Sequence, residues 1–183
     1  MRKMSYVKLS VITALCIALC VVLPMAFHAI PGAAFSIIPM HIPVLLCGLI
    51  AGWRFGLLAG IAGPLVSFLI TGMPPTFVLP GMMLELGVYG LAAGLLMFFI
   101  NTKKIYPDLY ISLVGAMLVG RVVAGIANAL IFSRGEFTIQ AWMGAYFITS
   151  FPGMIIQLAF LPSLVIALES AGLIPGKYGR TKE

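Results

Sequence analysis

Long apolar stretches, separated by short polar segments, run through the chain and predict membrane-spanning helices. A bilayer core about 30 Å thick requires roughly 20 apolar residues per helix, and helices satisfy their own backbone hydrogen bonds in lipid. The period-two alternation of a membrane β-strand is missing. We therefore predict an all-α integral membrane protein, a bundle of six transmembrane helices that forms a single membrane domain over residues 1–183. The predicted spans cover about residues 8–27, 40–53, 55–71, 81–100, 109–132 and 152–171.

Prolines, glycines and charged residues mark the ends of these spans. Arg54 indicates a tight turn after span two, which is short for a complete crossing. The turn "GMPPTFVLP" precedes span four. The last apolar region, Ile139–Ala171, is too long for one upright helix at about 1.5 Å per residue, and Phe151-Pro152 offers a break. We expect "AWMGAYFITS" to lie near the interface before span six. A cleaved signal peptide is the alternative for span one, whose apolar stretch is longer than usual for such a signal.

Composition and charge agree with a membrane protein and give its predicted orientation. The chain is 62% hydrophobic and only 9% charged, which excludes a soluble domain of this size. Its basic residues lie at ends and loops, so topology explains them better than nucleic-acid binding does. Six spans with cytoplasmic termini place nine bases inside and one outside, and leave the loops at 28–39, 72–80 and 133–141 external. The inside bases are Arg2, Lys3, Lys8, Arg54, Lys103, Lys104, Lys177, Arg180 and Lys182, and the outside base is Arg134.

In this orientation several polar residues fall in the outer half of the membrane. An ionisable side chain there costs roughly 2.5 to 3.5 kcal/mol unless it is paired or hydrated. Glu85 and Arg121 either form a structural ion pair between spans four and five or line a water-accessible substrate pocket. Tyr89 shares a helix face with Glu85, and Asn128 shares one with Arg121. The candidate substrate-binding residues are His41, Glu85, Tyr89, Arg121, Asn128 and Gln157.

Motifs of catalysis and metal binding are missing from the sequence. There is no phosphate-binding glycine loop with lysine, no H-E-x-x-H and no G-x-S-x-G. The three cysteines lie in apolar runs and suit buried hydrophobic positions rather than a metal site or disulfides. We therefore predict no catalytic residue, no metal and no cofactor.

Small residues four positions apart recur in the spans and permit close helix packing. Ala14 and Ala18 form such a pair in span one, and Gly90 and Gly94 form another in span four. Most of these pairs suit packing within the bundle, and one of them could serve docking to a second membrane protein.

Taken together, these features resemble the substrate-binding S components of energy-coupling factor (ECF) vitamin transporters. The resemblance covers nearly the whole chain and rests on its length, its six predicted spans and the Ala14-x-x-x-Ala18 motif. Its more specific parts are the glycine-rich block "HIPVLLCGLIAGWRFGLLAGIAGPLVSFLITGMPP" and the segment "ELGVYGLAAGLL".

The resemblance implies that the chain binds a vitamin or precursor from outside, in a pocket covered by the loops after spans one, three and five. It implies docking through Ala14 and Ala18 onto a transmembrane coupling protein (EcfT-like), which two cytoplasmic ATPases drive. The family also implies that the S component topples in the membrane and carries its ligand inward. The expected location is the bacterial cytoplasmic membrane.

The ligand stays open at this point. A carboxylate such as that of pantothenate, the best guess, could bind Arg121. A pyridoxine-like or hydroxymethylpyrimidine ligand could instead use Glu85, and Trp142, Tyr146 and Phe151 could stack on a larger cobalamin-related or queuosine-related molecule. From other classes, a small integral-membrane enzyme or assembly factor and a stand-alone carrier are the alternatives.

Overall fold

The computed structural model describes residues 4–28, 38–132 and 138–177, and within them it contains helices and turns but no strand. Two stretches are π-helical: Asn128–Phe132 directly follows the fifth helix, and Gly144–Thr149 directly follows the sixth. The α-helices are α1 (Tyr6–His28), α2 (His41–Ala51), α3 (Trp53–Thr71), α4 (Leu79–Phe99), α5 (Ile105–Ala127), α6 (Ile139–Met143) and α7 (Phe151–Ser170).

Five of the described helices are long and apolar enough to cross a membrane: α1, α3, α4, α5 with its π-helical extension, and α7. Their bounds agree with predicted spans one, three, four, five and six to within a few residues. Helix α2 has 11 residues, roughly 16 Å at 1.5 Å per residue, which is about half of the hydrocarbon core. The all-α membrane class is confirmed, whereas six crossings and cytoplasmic termini stay predictions.

Parts of the sequence-based predictions fall outside the described residues. The external loops predicted at 28–39 and 133–141 do so for residues 29–37 and 133–137. The same holds for five of the bases used in the charge count: Arg2, Lys3, Arg134, Arg180 and Lys182.

The break between α2 and α3 comes two residues before the predicted turn at Arg54. Gly52 alone separates the helices, with φ of +90°, a region that glycine adopts at no steric cost. Its N–H donates to Gly48 O at 3.1 Å, and its carbonyl accepts from Gly56 N–H at 2.9 Å. Arg54 therefore lies in the first turn of α3, where its guanidinium is 5.0 Å from the Trp53 ring centroid.

Glycines let α3 and α4 pack backbone against backbone. A Cβ on Gly90 would collide with the carbonyl of Gly56, and a Cβ on Gly60 would collide with that of Leu86. The small-residue spacing of this region therefore serves packing inside the bundle.

The core lies where α2 meets α4, α5 and α7. Leu45, Tyr89, Leu113, Met117 and Leu161 come from these four helices and are almost fully buried. Helix α2 is thus an internal element, short but enclosed. The three cysteines are buried and free, as predicted. Helix α1 is the least buried of the five long helices, so it presents much of its surface outward.

A polar cluster closes the end of the bundle that is predicted to be cytoplasmic. Asp108, fully buried, accepts hydrogen bonds from Thr102 N–H at 3.0 Å and Thr102 Oγ1 at 2.6 Å. The ammonium of Lys177 also contacts Asp108 and donates to the Ile100 carbonyl. These contacts join the α4–α5 turn to the segment after α7. A groove of about 450 Å³ lies beside them, lined in part by Arg54 and Glu169, and it contains none of the candidate substrate-binding residues.

Candidate functional site

An acid, an imidazole and a phenol ring meet where α2 begins. His41 Nε2 lies 3.5 Å from Glu85 Oε1, at the long limit for a hydrogen bond. The His41 ring also meets the Tyr89 ring edge-on, with 5.0 Å between centroids and an interplanar angle of 66°. Glu85 and Tyr89 are one turn apart on α4, as their spacing predicted. The structure therefore joins three of the six candidate residues into one cluster.

Arg121 is only 2% exposed on α5, and its guanidinium contacts the segment that leads into α7. Its NH2 donates to Ser150 Oγ at 3.1 Å, and its NH1 lies 2.8 Å from Met154 Sδ. The guanidinium carbon is 5.4 Å from the Phe147 ring centroid, a cation–π distance. Thioether sulfur is a weak acceptor, so none of these three partners neutralises the positive charge.

Glu85 and Arg121 do not pair with each other. Among the described residues Glu85 has His41 as its ion-pair partner, and no carboxylate oxygen lies within 4.0 Å of the Arg121 guanidinium. The structural ion pair between spans four and five, one of the two interpretations of these charges, is therefore not formed. The Tyr89 ring, which meets the His41 ring, also packs on α5 beside Arg121, because a Cβ on Gly120 would come within 2.8 Å of it.

The segment before α7 packs on the C-terminal half of α5. A Cβ on Gly125 would collide with the Trp142 indole, so the glycine one turn after Arg121 makes room for this ring. Trp142 meets the Phe147 ring edge-on, with 5.3 Å between centroids. Aromatic side chains from α6 and the following π-helical stretch therefore cover Arg121 and Gly125.

The remaining two candidate residues lie on α7 and beyond α5. Gln157 is 2% exposed and follows Met154 by three residues, which places both on neighbouring positions of one helix face. Asn128 is half-buried at the start of the π-helical stretch after α5. Three of the candidate residues carry a buried nitrogen that has no hydrogen-bond partner among the described residues: His41 Nδ1, Arg121 Nε and Gln157 Nε2.

Sequence reasoning missed Phe147, Ser150 and Met154, the residues that surround Arg121. The spacing of Ser150, Met154 and Gln157 could have predicted that they share one helix face. The sequence could not show that this face contacts Arg121, since that contact depends on the π-helical stretch Gly144–Thr149. Of the rings proposed to stack on a ligand, Trp142 lies near Arg121, whereas Phe151 is 57% exposed and the Tyr146 side chain is outside the described residues.

The small-residue pair on α1 lies on an exposed face. Ala14 and Ala18 are both exposed, together with Val11, Leu15 and Val22. This face is therefore available for contact with lipid or with another membrane protein.

The described residues also limit the chemistry of the site. None of their histidine, cysteine, aspartate and glutamate side chains form a group of three or more that could hold a metal ion. What the site offers is one cation, one acid–imidazole pair and aromatic surface, which suits recognition of a small polar molecule.

Comparison with known protein families identifies the family to which this chain belongs. The family model described as the substrate-specific component of ECF transporters matches residues 8–169, which is most of the chain. The protein therefore belongs to the substrate-specific components of ECF transporters, multi-pass membrane proteins that bind the substrate of an importer. The resemblance drawn from the sequence is confirmed at this level, without a particular vitamin. Searches of curated proteins and of solved structures found no match.

Proposed function

We propose that this substrate-specific component captures a vitamin or vitamin precursor from outside the cell, with pantothenate as the best candidate. The observation that carries the proposal is the state of Arg121, a cation 2% exposed with no carboxylate beside it in the described structure. A ligand carboxylate can accept two parallel hydrogen bonds from a guanidinium. The substrate site then comprises His41, Glu85, Tyr89, Arg121, Asn128 and Gln157.

The bound ligand is delivered through an ATPase-driven module. Its proposed parts are a transmembrane coupling protein (EcfT-like) and two cytoplasmic ATPases, with Ala14 and Ala18 as the docking motif. Exposure of both alanines on α1, the least buried long helix, supports this assignment. The exposed residues Val11, Leu15 and Val22 extend the two alanines into one apolar stripe on α1. The coupling protein would replace lipid along this stripe.

The proposed topology is a single membrane domain of six spans with both termini in the cytoplasm of a bacterium. The short α2 would complete its crossing with flanking residues. Cysteine labelling tests this in a variant whose three native cysteines are replaced by serine. A cysteine at Thr102, in the α4–α5 turn, should react only after the membrane is permeabilised, and one at Thr76, in the α3–α4 turn, should react in intact cells.

A second ligand chemistry is favoured by one contact. The Glu85–His41 pair offers a carboxylate to an amine or ring nitrogen, which suits a pyridoxine-like or hydroxymethylpyrimidine ligand. Trp142 and Phe147 offer ring surface to a larger cobalamin-related or queuosine-related ligand. The absence of an enzymatic activity stays a prediction, drawn from the missing catalytic motifs.

Mass spectrometry of the ligand retained on the purified protein tests the proposal directly. A retained vitamin or precursor, or pantothenate binding at micromolar concentration or below, is the expected result. Uptake should require the ATPases, so cells with a catalytically inactive ATPase module should bind the ligand and not accumulate it. Accumulation by this chain alone in vesicles would contradict the importer mechanism and favour a stand-alone carrier.

A further inference from the structure

Two buried nitrogen donors on neighbouring helices lack an acceptor in the described structure. Arg121 on α5 and Gln157 on α7 are each 2% exposed, and both Arg121 Nε and Gln157 Nε2 are without a hydrogen-bond partner. The Arg121 NH1–Met154 Sδ contact of 2.8 Å brings this face of α5 against α7. Gln157 follows Met154 by three residues on the same face, so the two donors belong to one region.

This pair of donors is unusual for a buried site. More than nine in ten buried polar groups have a partner, because an unpaired donor in an apolar interior is costly. The cost is greatest for Arg121, whose charge meets a hydroxyl, a thioether and an aromatic ring among the described residues. One group with a negative charge and two acceptor oxygens would satisfy both donors and neutralise the cation.

We propose that Arg121 and Gln157 form an anion subsite between α5 and α7, which takes a carboxylate group of the substrate. The carboxylate accepts from the Arg121 Nε–H and from the Gln157 amide. The inference rests on the proposed function and narrows its substrate class to small organic monocarboxylates. A singly charged group matches the single cation, whereas a doubly charged phosphate would leave a negative charge buried.

The Glu85–His41 pair does not serve this subsite. Glu85 is paired with His41 at 3.5 Å, and the Tyr89 ring contacts both His41 and the Gly120 position on α5. An anionic group is therefore attracted to the α5–α7 side, away from the acid. The ligand therefore binds in one orientation, with its carboxylate at α5 and α7 and its uncharged polar end toward α2 and α4.

Matched acids and their neutral analogues test the subsite. The probes are pantothenate with pantothenol, and nicotinate with nicotinamide, measured by calorimetry on the purified full-length protein. We expect any bound pair to favour the acid by roughly tenfold or more, the range of a hydrogen bond to a charged group. Arg121→Met should abolish that preference, and Arg121→Lys should retain part of it. Ser163→Ala on the exposed side of α7 is the control and should leave the preference unchanged.

A second measurement needs no ligand. Gln157→Glu places an acid near the Arg121 cation, so it should raise the melting temperature of the ligand-free protein. The stabilisation should disappear when Arg121→Met is also present, since the new acid then has no partner.

The two measurements separate this inference from the proposed function. Equal binding of an acid and its neutral analogue would overturn the subsite and leave vitamin capture intact. A Gln157→Glu protein that is less stable in both backgrounds would overturn it as well. If neither probe pair binds but Gln157→Glu stabilises the protein through Arg121, the subsite stands and the proposed vitamin is wrong.

Discussion

The Arg121 guanidinium donates a hydrogen bond to Ser150 Oγ at 3.1 Å, and this bond joins α5 to the residue immediately before α7. The same guanidinium lies 5.4 Å from the Phe147 ring, so two residues of the segment before α7 depend on one side chain of α5. π-Helical turns such as Gly144–Thr149 are frequent at functional sites. A ligand that binds Arg121 would therefore change these contacts and shift the segment before α7.

The first prediction concerns the Arg121–Ser150 bond. Removing the hydroxyl in Ser150→Ala leaves a charged donor without its oxygen partner, at a cost of about 1.5 to 3 kcal/mol. Part of this cost should appear as looser packing of the segment that carries Trp142. The chain has two tryptophans, so Trp53→Phe makes Trp142 the sole tryptophan, whose emission is then followed. Acrylamide should quench Trp142 more strongly in Ser150→Ala than in its parent.

The control for this measurement is Ser163→Ala, which also removes a serine hydroxyl but lies further along α7. Its Oγ donates only to the backbone, to Ala159 O at 2.9 Å. Equal quenching in Ser150→Ala and its parent would show that the bond does not hold the segment.

The docking face on α1 gives the second prediction. Replacing Ala14 or Ala18 with leucine adds bulk where the proposed docking motif allows close approach of another helix. Both positions are exposed on α1, so the bundle itself should tolerate the change. We expect uptake in cells to fall to background while ligand binding by the purified protein is retained.

Ala26→Leu is the matched control, because Ala26 is also exposed on α1 and lies two turns beyond the motif. Uptake should survive this change. Lost ligand binding in the Ala14 or Ala18 variant would instead indicate that these residues support the fold or the substrate site.

Some parts of the fold and of the candidate site could be predicted from the sequence, and others could not. Span ends were predictable because lipid demands long apolar runs, and the shared face of Glu85 and Tyr89 followed from helical periodicity. The sequence also placed His41 and Glu85 at one depth in the membrane. It could not show that Glu85 pairs with His41 rather than with Arg121, because that choice depends on how α2 is enclosed among its neighbours.

The third prediction tests the contact between α3 and α4. A methyl group on Gly90 would collide with the Gly56 carbonyl, and backbone atoms cannot move aside as a flexible side chain would. Gly90→Ala should therefore lower the free energy of unfolding by about 1 to 3 kcal/mol or more, measured by thermal unfolding in detergent. Gly144→Ala is the control, since a Cβ there meets nothing within 4 Å. Equal melting temperatures for the two variants would contradict the close contact.

The fourth prediction concerns Asp108 and Lys177 at the end of the bundle predicted to be cytoplasmic. Their side chains are 0% and 9% exposed, and removing one partner of a buried ion pair costs about 3 to 5 kcal/mol, because the other charge is left uncompensated. We expect Asp108→Asn or Lys177→Met to lower the free energy of unfolding by an amount of this order. Replacing both residues should cost less than the sum of the two single changes.

Lys104→Met is the control for this fourth experiment, because it removes the charge of an exposed lysine from the same end of the bundle. Its free energy of unfolding should change by less than about 0.5 kcal/mol. Additive single costs in the double variant would mean that Asp108 and Lys177 are not coupled. The segment after α7 would then be held mainly by Ile174, which is buried in the core, and the α4–α5 turn would be independent of it.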